Sequence, residues 1–583
     1  MLFLAVRASD EYRWSDWGFG DAQTMLSLRQ WDEEGWFNNY FLFIPQGYAK
    51  VVKLFDDPEL RHHAHGTCPG SAPGVGPRLW YTHYPAGYLV PYAVLFKIGL
   101  DDIFHARMLS IVFSIAALVL MFIVFSRIAS PQAAFFAVLF YAISPVFLGY
   151  ADSIANQPLD DMIRFGFMLL TVMAFETDDK AKAKKLLIIA WLSEFALSLS
   201  SFDSVFFIYT WLVGWDILVN RKFRWKLYLI FSLAPILAHS LQLLQNIWYF
   251  GIETAIQDIK VTFMQKSGGV ETYGGPGQSR FDLVFTTVLM VFNSVFSPSE
   301  WIAGVLIVFL LYVFMLRGRE DKSLPSFAIL CLLFLCGLAY IFVLPHGARM
   351  PYQGRQMAPF VAMLIGGFTW SAAGSFVAAL YGDKDETVSA LSSVRKYALP
   401  AYLLLSCVIL IVFWYRLLLH DRYPVYKIPE SQPNEMIVQN KQRLGNLMAG
   451  YRLRGDLLLA KELKKMPTRY EPVYFDLGGF SSYWDPNYVP GYPQINPIIE
   501  FYAGSRPVLC FNYPEGIVND IIYLLQKSPH RFSPVLVSRD LRALETTVSE
   551  LGQRGALIAM PPQPLFIVDR YVADLSDFLR WMR

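Results

Sequence analysis

Stretches with no ionisable residue recur along this chain, and they restrict what it can fold into more than any motif does. Residues 304–316 and 403–414 carry no Asp, Glu, Lys or Arg. Ten segments have the length and apolarity of membrane helices: roughly 104–126, 131–149, 160–176, 185–201, 204–219, 226–248, 301–316, 326–344, 358–381 and 398–419. A single soluble core stops growing near ~250–300 residues, and this chain has 583. Only 17% of it is charged, against about a quarter in soluble chains. The expected fold class is therefore a polytopic α-helical membrane protein.

Loop charge sets the expected topology. Two further apolar stretches, 84–99 and 281–297, are ambiguous, the first because of Pro85, Pro91 and Lys97 and the second because of Asn293. If both lie along the interface, one side of the membrane collects fifteen cations: Arg127, Lys180, Lys182, Lys184, Lys185, Arg221, Lys222, Arg224, Lys226, Arg317, Arg319, Lys322, Lys384, Arg395 and Lys396. The opposite connections hold only Lys260, Lys266, Arg280, Arg349 and Arg355. The positive-inside rule makes the richer side cytoplasmic. Residues 8–103, 251–300 and everything after 419 are then expected outside. Only six apolar residues precede Arg7, too few for a crossing, so the start is expected to be truncated within a first helix.

The expected domains are a transmembrane unit over 1–419, with external loops 8–103 and 251–300, and an external α/β domain over 420–583. In that tail, helical stretches at 434–465, 516–526 and 541–551 alternate with β-like runs at 472–475, 507–511, 534–537 and 565–568. With 50 Lys and Arg against 48 Asp and Glu, no basic field exists to attract nucleic acid. The five cysteines (68, 331, 336, 407 and 510) show no paired spacing for a disulfide framework or a metal. Arg61-His62-His63-Ala64-His65-Gly66-Thr67-Cys68 is the densest group of possible zinc ligands, but no second ligand pair stands at a standard spacing. No metal is expected.

Candidate chemistry starts with Ser9-Asp10-Glu11-Tyr12, immediately after the apolar start. Adjacent carboxylates where a helix meets water can serve as a base beside a membrane-embedded substrate, or simply solvate the helix end. Glu194 and His239 are intramembrane and could meet at similar depth as a structural pair.

Further along come Thr82-His83-Tyr84-Pro85-Ala86-Gly87-Tyr88-Leu89, a Phe-Lys-Ile-Gly ending, Ala106-Arg107 opening the next helix and Ser144-Pro145-Val146-Phe147-Leu148 closing the one after. Pro345-His346-Gly347-Ala348-Arg349 and Gln356-Met357-Ala358-Pro359 follow. In that order, with the tail, these motifs resemble the membrane glycosyltransferases of the GT-C type. That superfamily includes protein O-mannosyltransferases and bacterial aminoarabinose and other lipid-phosphate-sugar transferases.

The resemblance implies a hexosyl-type transferase in the inner (cytoplasmic) membrane, working at the outer face in cell envelope glycosylation. It implies a polyprenyl-phosphate sugar as co-substrate donor, inversion at the anomeric carbon, and a glycan, lipid or protein acceptor. Asp10 would be the base that takes the acceptor proton, with Glu11 in support. Asp152 stands where relatives carry a second carboxylate, although the run Ala151-Asp152-Ser153-Ile154 departs in register. His83, Tyr84 and His346 would contact substrate.

The chemistry asks for the same parts independently. A sugar phosphate already has a good leaving group, so the enzyme must deprotonate a hydroxyl and neutralise the departing lipid phosphate. Arg355, Arg349, Arg107, Lys260 and Lys266 are the candidate phosphate ligands, with Arg355 preferred for its bidentate fork and Arg349 as the alternative. A transporter or flippase of lipid-linked sugars, or a glycan polymerase or ligase, would share much of this pattern. Transporters usually show paired repeats, whereas two unequal external loops and a tail break any such symmetry here.

Overall fold

The computed structural model describes residues 2–9, 13–14, 18–43, 85–266, 325–344, 354–381, 451–452, 454–466, 471–476, 501–502, 504, 508–510, 518, 532–538, 541–554, 560–565 and 570–574. The chain enters through α1 (Leu2–Ser9), β1 (Arg13–Trp14) and α2 (Gly18–Glu34). Then follow α3 (Leu89–Lys97), α4 (Ile103–Ile128), α5 (Pro131–Ile143), α6 (Pro145–Tyr150), α7 (Gln157–Glu176) and α8 (Lys180–Ser198). After them come α9 (Asp203–Gly214), continued by a π turn at Trp215–Val219, then α10 (Trp225–Phe250), α11 (Ile252–Lys266), α12 (Phe327–Val343) and α13 (Gly354–Tyr381).

Several of these helices begin where a side chain satisfies an otherwise orphaned amide. Asp102 accepts from the His105 N–H, Ser130 from that of Ala133, Asp179 from those of Ala181 and Lys182, and Ser326 from that of Ile329. The segment 131–149, expected as one helix, is two. Ser144 has extended backbone and caps α6 with Pro145 in its first turn, so the α5 ladder stops and a new one starts. Helix α3 has nine residues, about 13 Å at a rise of ~1.5 Å, well short of a ~30 Å hydrocarbon layer. Helix α3 therefore does not cross on its own.

The helical part differs from a soluble domain in its apolar exterior and in the charge it buries within an apolar core. Its interior holds Phe125, Phe147, Phe165, Trp211 and Leu333, but also Arg7, Arg107, Arg164, Arg355, Asp152 and Asp161. Its exterior exposes Val112 and Val119 on α4, Ile188 and Leu192 on α8, and Leu229, Leu233, Ile236 and Leu237 on α10. Buried charge behind an apolar exterior is the arrangement that lipid requires and water penalises. Among the described helices, Ile103–Ile128 and Trp225–Trp248 are long and apolar enough to cross a bilayer, and Pro131–Ile143 and Phe327–Val343 are apolar but shorter.

Helices α4 and α7 run in the same direction. The start of α4 meets the 151–156 connection through Arg107 and Asp152, whereas its far end meets the end of α7 through Arg127 and Glu176. Glu194 and His239 do not make the expected pair. Neither Glu194 oxygen has a hydrogen-bond partner, and the His239 ring is instead stacked on Phe202 with centroids 4.3 Å apart.

In the tail, β2 (Tyr451–Arg452), α14 (Arg454–Lys465), β3 (Glu471–Asp476), β4 (Val508–Cys510), β5 (Phe532–Ser538), α15 (Leu541–Gln553), β6 (Met560–Leu565) and β7 (Arg570–Asp574) are described. One sheet runs β4-β3-β5-β7-β6, with β3, β4 and β5 parallel and β6 and β7 antiparallel to their neighbours. Leu544, Val548 and Leu551 recur at helical spacing on α15 and are buried, as are Val535, Leu536 and Val537 of β5. One expectation needs correction. Residues 434–465 are not one helix, because Tyr451–Arg452 is a strand paired antiparallel with Arg13–Trp14 of β1. Of the run 565–568 expected as a strand, Leu565 is the last residue of β6, and 566–568 lie outside the described residues.

Candidate active site

The polar interior gathers at one end of the bundle, around the connection from α6 to α7. Because Ser144 and Pro145 break the preceding helix, α6 ends at Tyr150 and turns Asp152 inward. Asp152 is fully buried and holds two guanidinium groups. Arg7 of α1 donates to it through Nε (3.0 Å) and Nη2, and also reaches the Leu148 carbonyl at 2.6 Å. Arg107 of α4 donates to it through Nη2 at 2.6 Å and meets the Ala8 carbonyl at 3.4 Å. Burial alone would raise this carboxyl, but the charges and hydrogen bonds of Arg7 and Arg107 outweigh it and hold Asp152 below the usual carboxylate range.

The next residues are tied to the first loop. Asp21 of α2 accepts from Ser153 Oγ (2.6 Å) and the Ile154 N–H (2.8 Å), both through one oxygen. Ser114 of α4 donates to the Ala151 carbonyl at 2.8 Å. The loop between α6 and α7 is thus pinned from three sides: α1, α2 and α4.

A second cluster opens α7. Asp161 is buried and accepts from Tyr141 Oη (2.9 Å), from Arg164, and from both Nε (2.9 Å) and Nη2 of Arg355. Arg355 sits in the first turn of α13, 2% exposed, with its guanidinium 5.8 Å from the Tyr150 ring centre. Its Nη1 is buried without a hydrogen-bond partner. Beside it, Asp160 accepts from Asn156 Nδ2 (2.8 Å) and Ser204 Oγ (3.5 Å), and Ser201 donates to Asp203 at 3.0 Å.

Of the residues expected from sequence, Asp152, Arg107 and Arg355 are thus buried at the same end of the helices. Lys260 lies exposed on α11, and Lys266 is the last residue of that helix. Asp10, Glu11, His83, Tyr84, His346 and Arg349 lie outside the described residues, as do the His-rich run 61–68 and the tail beyond Asp574. Sequence reading missed Arg7, Asp21, Asp160, Asp161, Arg164 and Asp203. The signal for three of them was present, since Asp160, Asp161 and Arg164 stand inside a segment otherwise apolar enough to be taken as a crossing. Among the described residues, no three His, Cys, Asp or Glu side chains converge as metal ligands.

No family model and no curated protein matches the sequence. Solved structures do resemble the fold. ArnT from Cupriavidus metallidurans, bound to undecaprenyl phosphate, superposes with a TM-score of 0.52 at 12% identity, over 99% of this chain and 98% of that one. The same protein in its apo state gives 0.47 at 14% identity over 93% and 98%. AglB from Archaeoglobus fulgidus, in complex with an inhibitory peptide and a dolichol-phosphate, gives 0.39 at 10% identity over 82% and 65%. The match to ArnT spans nearly all of both chains, and at this identity it is a likeness of fold.

Proposed function

We propose that this chain is a GT-C glycosyltransferase that moves a sugar from a polyprenyl-phosphate donor to an acceptor hydroxyl at the outer face of the cell membrane, with inversion. The observation that carries the reading is the buried Arg7–Asp152–Arg107 cluster, whose Arg7 stands three residues before Asp10 in the chain, inside a fold like that of a protein crystallised on undecaprenyl phosphate. In this reading Asp10 takes the acceptor proton and Glu11 supports it. Asp152 is a positioning residue: held ionised by two arginines, it is too weak a base for that task and instead fixes Arg7 and Arg107.

Arg355 is the leading ligand for the lipid phosphate. Two of its nitrogens are committed to Asp161, and the buried Nη1 is a donor waiting for an acceptor. A phosphate oxygen supplies one, and a charge-assisted contact of this kind is worth about 1.5–3 kcal/mol. Arg349 remains the alternative, and His83, Tyr84 and His346 the sugar or acceptor contacts. The arginines neutralise the departing phosphate, so no divalent metal is required. The loops at 8–103 and 251–300 and the tail after 419 share the outer side with the site.

The test is mass spectrometry of products after incubating purified protein with a panel of polyprenyl-phosphate sugars and candidate acceptors. Transfer or hydrolysis with one donor is expected, and it should survive chelation. Asp10→Asn keeps shape and removes basicity, so turnover should fall by about 10² or more while donor affinity holds. Donor binding without turnover of any donor would favour a transporter or flippase.

A further inference from the structure

Helix α11 has a pattern that the catalytic reading does not use. At about 100° per residue, Ile252, Ile256, Ile259 and Phe263 fall within an arc of about 60°. All four are exposed, at 66, 50, 43 and 58%. Glu253, Gln257 and Lys260, also exposed, occupy the adjacent sector. On the other side of the stripe, Ala255 is buried. The helix therefore has three faces: one against the protein, one polar, and one bare and apolar.

What precedes α11 identifies what the bare face meets. Helix α10 has 26 residues, about 39 Å at ~1.5 Å rise, so it outruns a ~30 Å hydrocarbon layer. Apart from Lys226 near its start and Ser240, its exposed residues are apolar through Leu241 and Leu244 and end at Trp248, 79% exposed, with Tyr40 of the first loop 5.9 Å away edge-on. A Trp–Tyr pair at the end of an apolar helix marks the headgroup level. Gly251 then caps α10 at φ +85°, a left-handed conformation in which the chain turns off the axis. The stripe of α11 begins at the next residue.

We propose that α11 lies in the plane of the outer leaflet, with Ile252, Ile256, Ile259 and Phe263 inserted among lipid chains and Lys260 at the level of the lipid phosphates. The occupant of the bare face is the bilayer, because that face continues the lipid-facing surface of α10 across Gly251. An amphipathic helix with one apolar stripe and a polar flank binds an interface in this way. The assignment rests on the membrane reading of the fold and is independent of the chemistry proposed for Asp10.

The test uses the full-length wild-type protein in nanodiscs, labelled either by a diazirine carried on lipid chains or by hydroxyl radicals generated in water, and read by mass spectrometry. The lipid probe should label the four stripe residues at least about tenfold more than Gln257, and the water-borne radical should favour Gln257. Leu241 and Leu244 serve as internal standards. If they take up the lipid probe while the stripe reacts only from water, the helix is not interfacial and the membrane reading stands. If α10 also fails to label, the membrane reading falls and takes this assignment with it.

Discussion

Helix α4 carries an arginine–carboxylate pair near each end, and the two could hardly differ more. Arg107 and Arg127 are twenty residues apart, about 30 Å along the axis and close to the thickness of the hydrocarbon layer. Arg107 reaches Asp152 at 2.6 Å with both side chains essentially buried. Arg127 reaches Glu176 at 2.9 Å with the two side chains 42% and 43% exposed. Similar geometry in different surroundings has different consequences. The exposed pair is screened and replaceable, whereas the buried one has given up hydration that only its partners restore. Buried charge that depends on its partners is confined to one end of α4, and solvated charge suffices at the other.

Removing the shared carboxylate should have the largest effect. Asp152→Asn leaves the guanidinium groups of Arg7 and Arg107 buried around a neutral amide, a loss of about 3–5 kcal/mol for a broken buried pair. The midpoint of thermal unfolding in detergent should fall together with turnover. Because the carboxyl is held below its usual range, its stabilisation is present above the unfolded-state value and lost only as pH falls through the lowered one. The wild type should therefore keep this contribution through mildly acid conditions. An unchanged midpoint in Asp152→Asn would show that the triad is not the structural centre of the site.

The second cluster gives a middle-sized effect. Arg355→Ala leaves Asp161 with Arg164 and Tyr141, so the fold should hold while one phosphate contact disappears. A loss of about 1.5–3 kcal/mol corresponds to a roughly 10- to 150-fold weaker affinity for a polyprenyl-phosphate sugar. Arg355→Lys should also weaken binding, since an ammonium cannot hold Asp161 through two nitrogens and present a third donor. Titration of Arg349→Ala in parallel distinguishes the two arginines. Unchanged affinity in both would move the phosphate site toward Arg107, Lys260 or Lys266.

The contrast also explains what was legible in the sequence. Apolar runs announced α4, α7 to α10, α12 and α13 because lipid imposes a uniform demand on every turn of a crossing helix. The same averaging hid Asp160, Asp161 and Arg164, whose cost inside a bilayer is the reason to single them out. Arg7 was read only as the end of an apolar run, and nothing local ties it to a carboxylate 145 residues away. Asp152, Arg107 and Arg355 were visible through the motifs around them. The strand Tyr451–Arg452 had no local signal, since its partner is near the other end of the chain. Pro561, Pro562 and Pro564 weaken any local strand signal for β6, and β6 tolerates them as an edge strand.

The smallest predicted effect is the most exacting check on the comparison, because it asks a close ion pair to do almost nothing. Arg127→Ala removes a 2.9 Å contact between α4 and α7, two helices that pack along their length. Water reaches both side chains and screens the attraction while the pair exists, and it solvates Glu176 once the pair is gone. The expected cost is about 0.2–1 kcal/mol, the range for exposed pairs. What holds α4 against α7 is apolar contact, such as the edge-on packing of Phe125 on Phe165, ring centres 6.4 Å apart. Arg127→Ala should therefore shift the unfolding midpoint far less than Asp152→Asn, leave turnover at the wild-type level, and respond little to added salt. A shift as large as that of Asp152→Asn would mean that exposure does not separate the two ends of α4, and that burial does not mark the functional one.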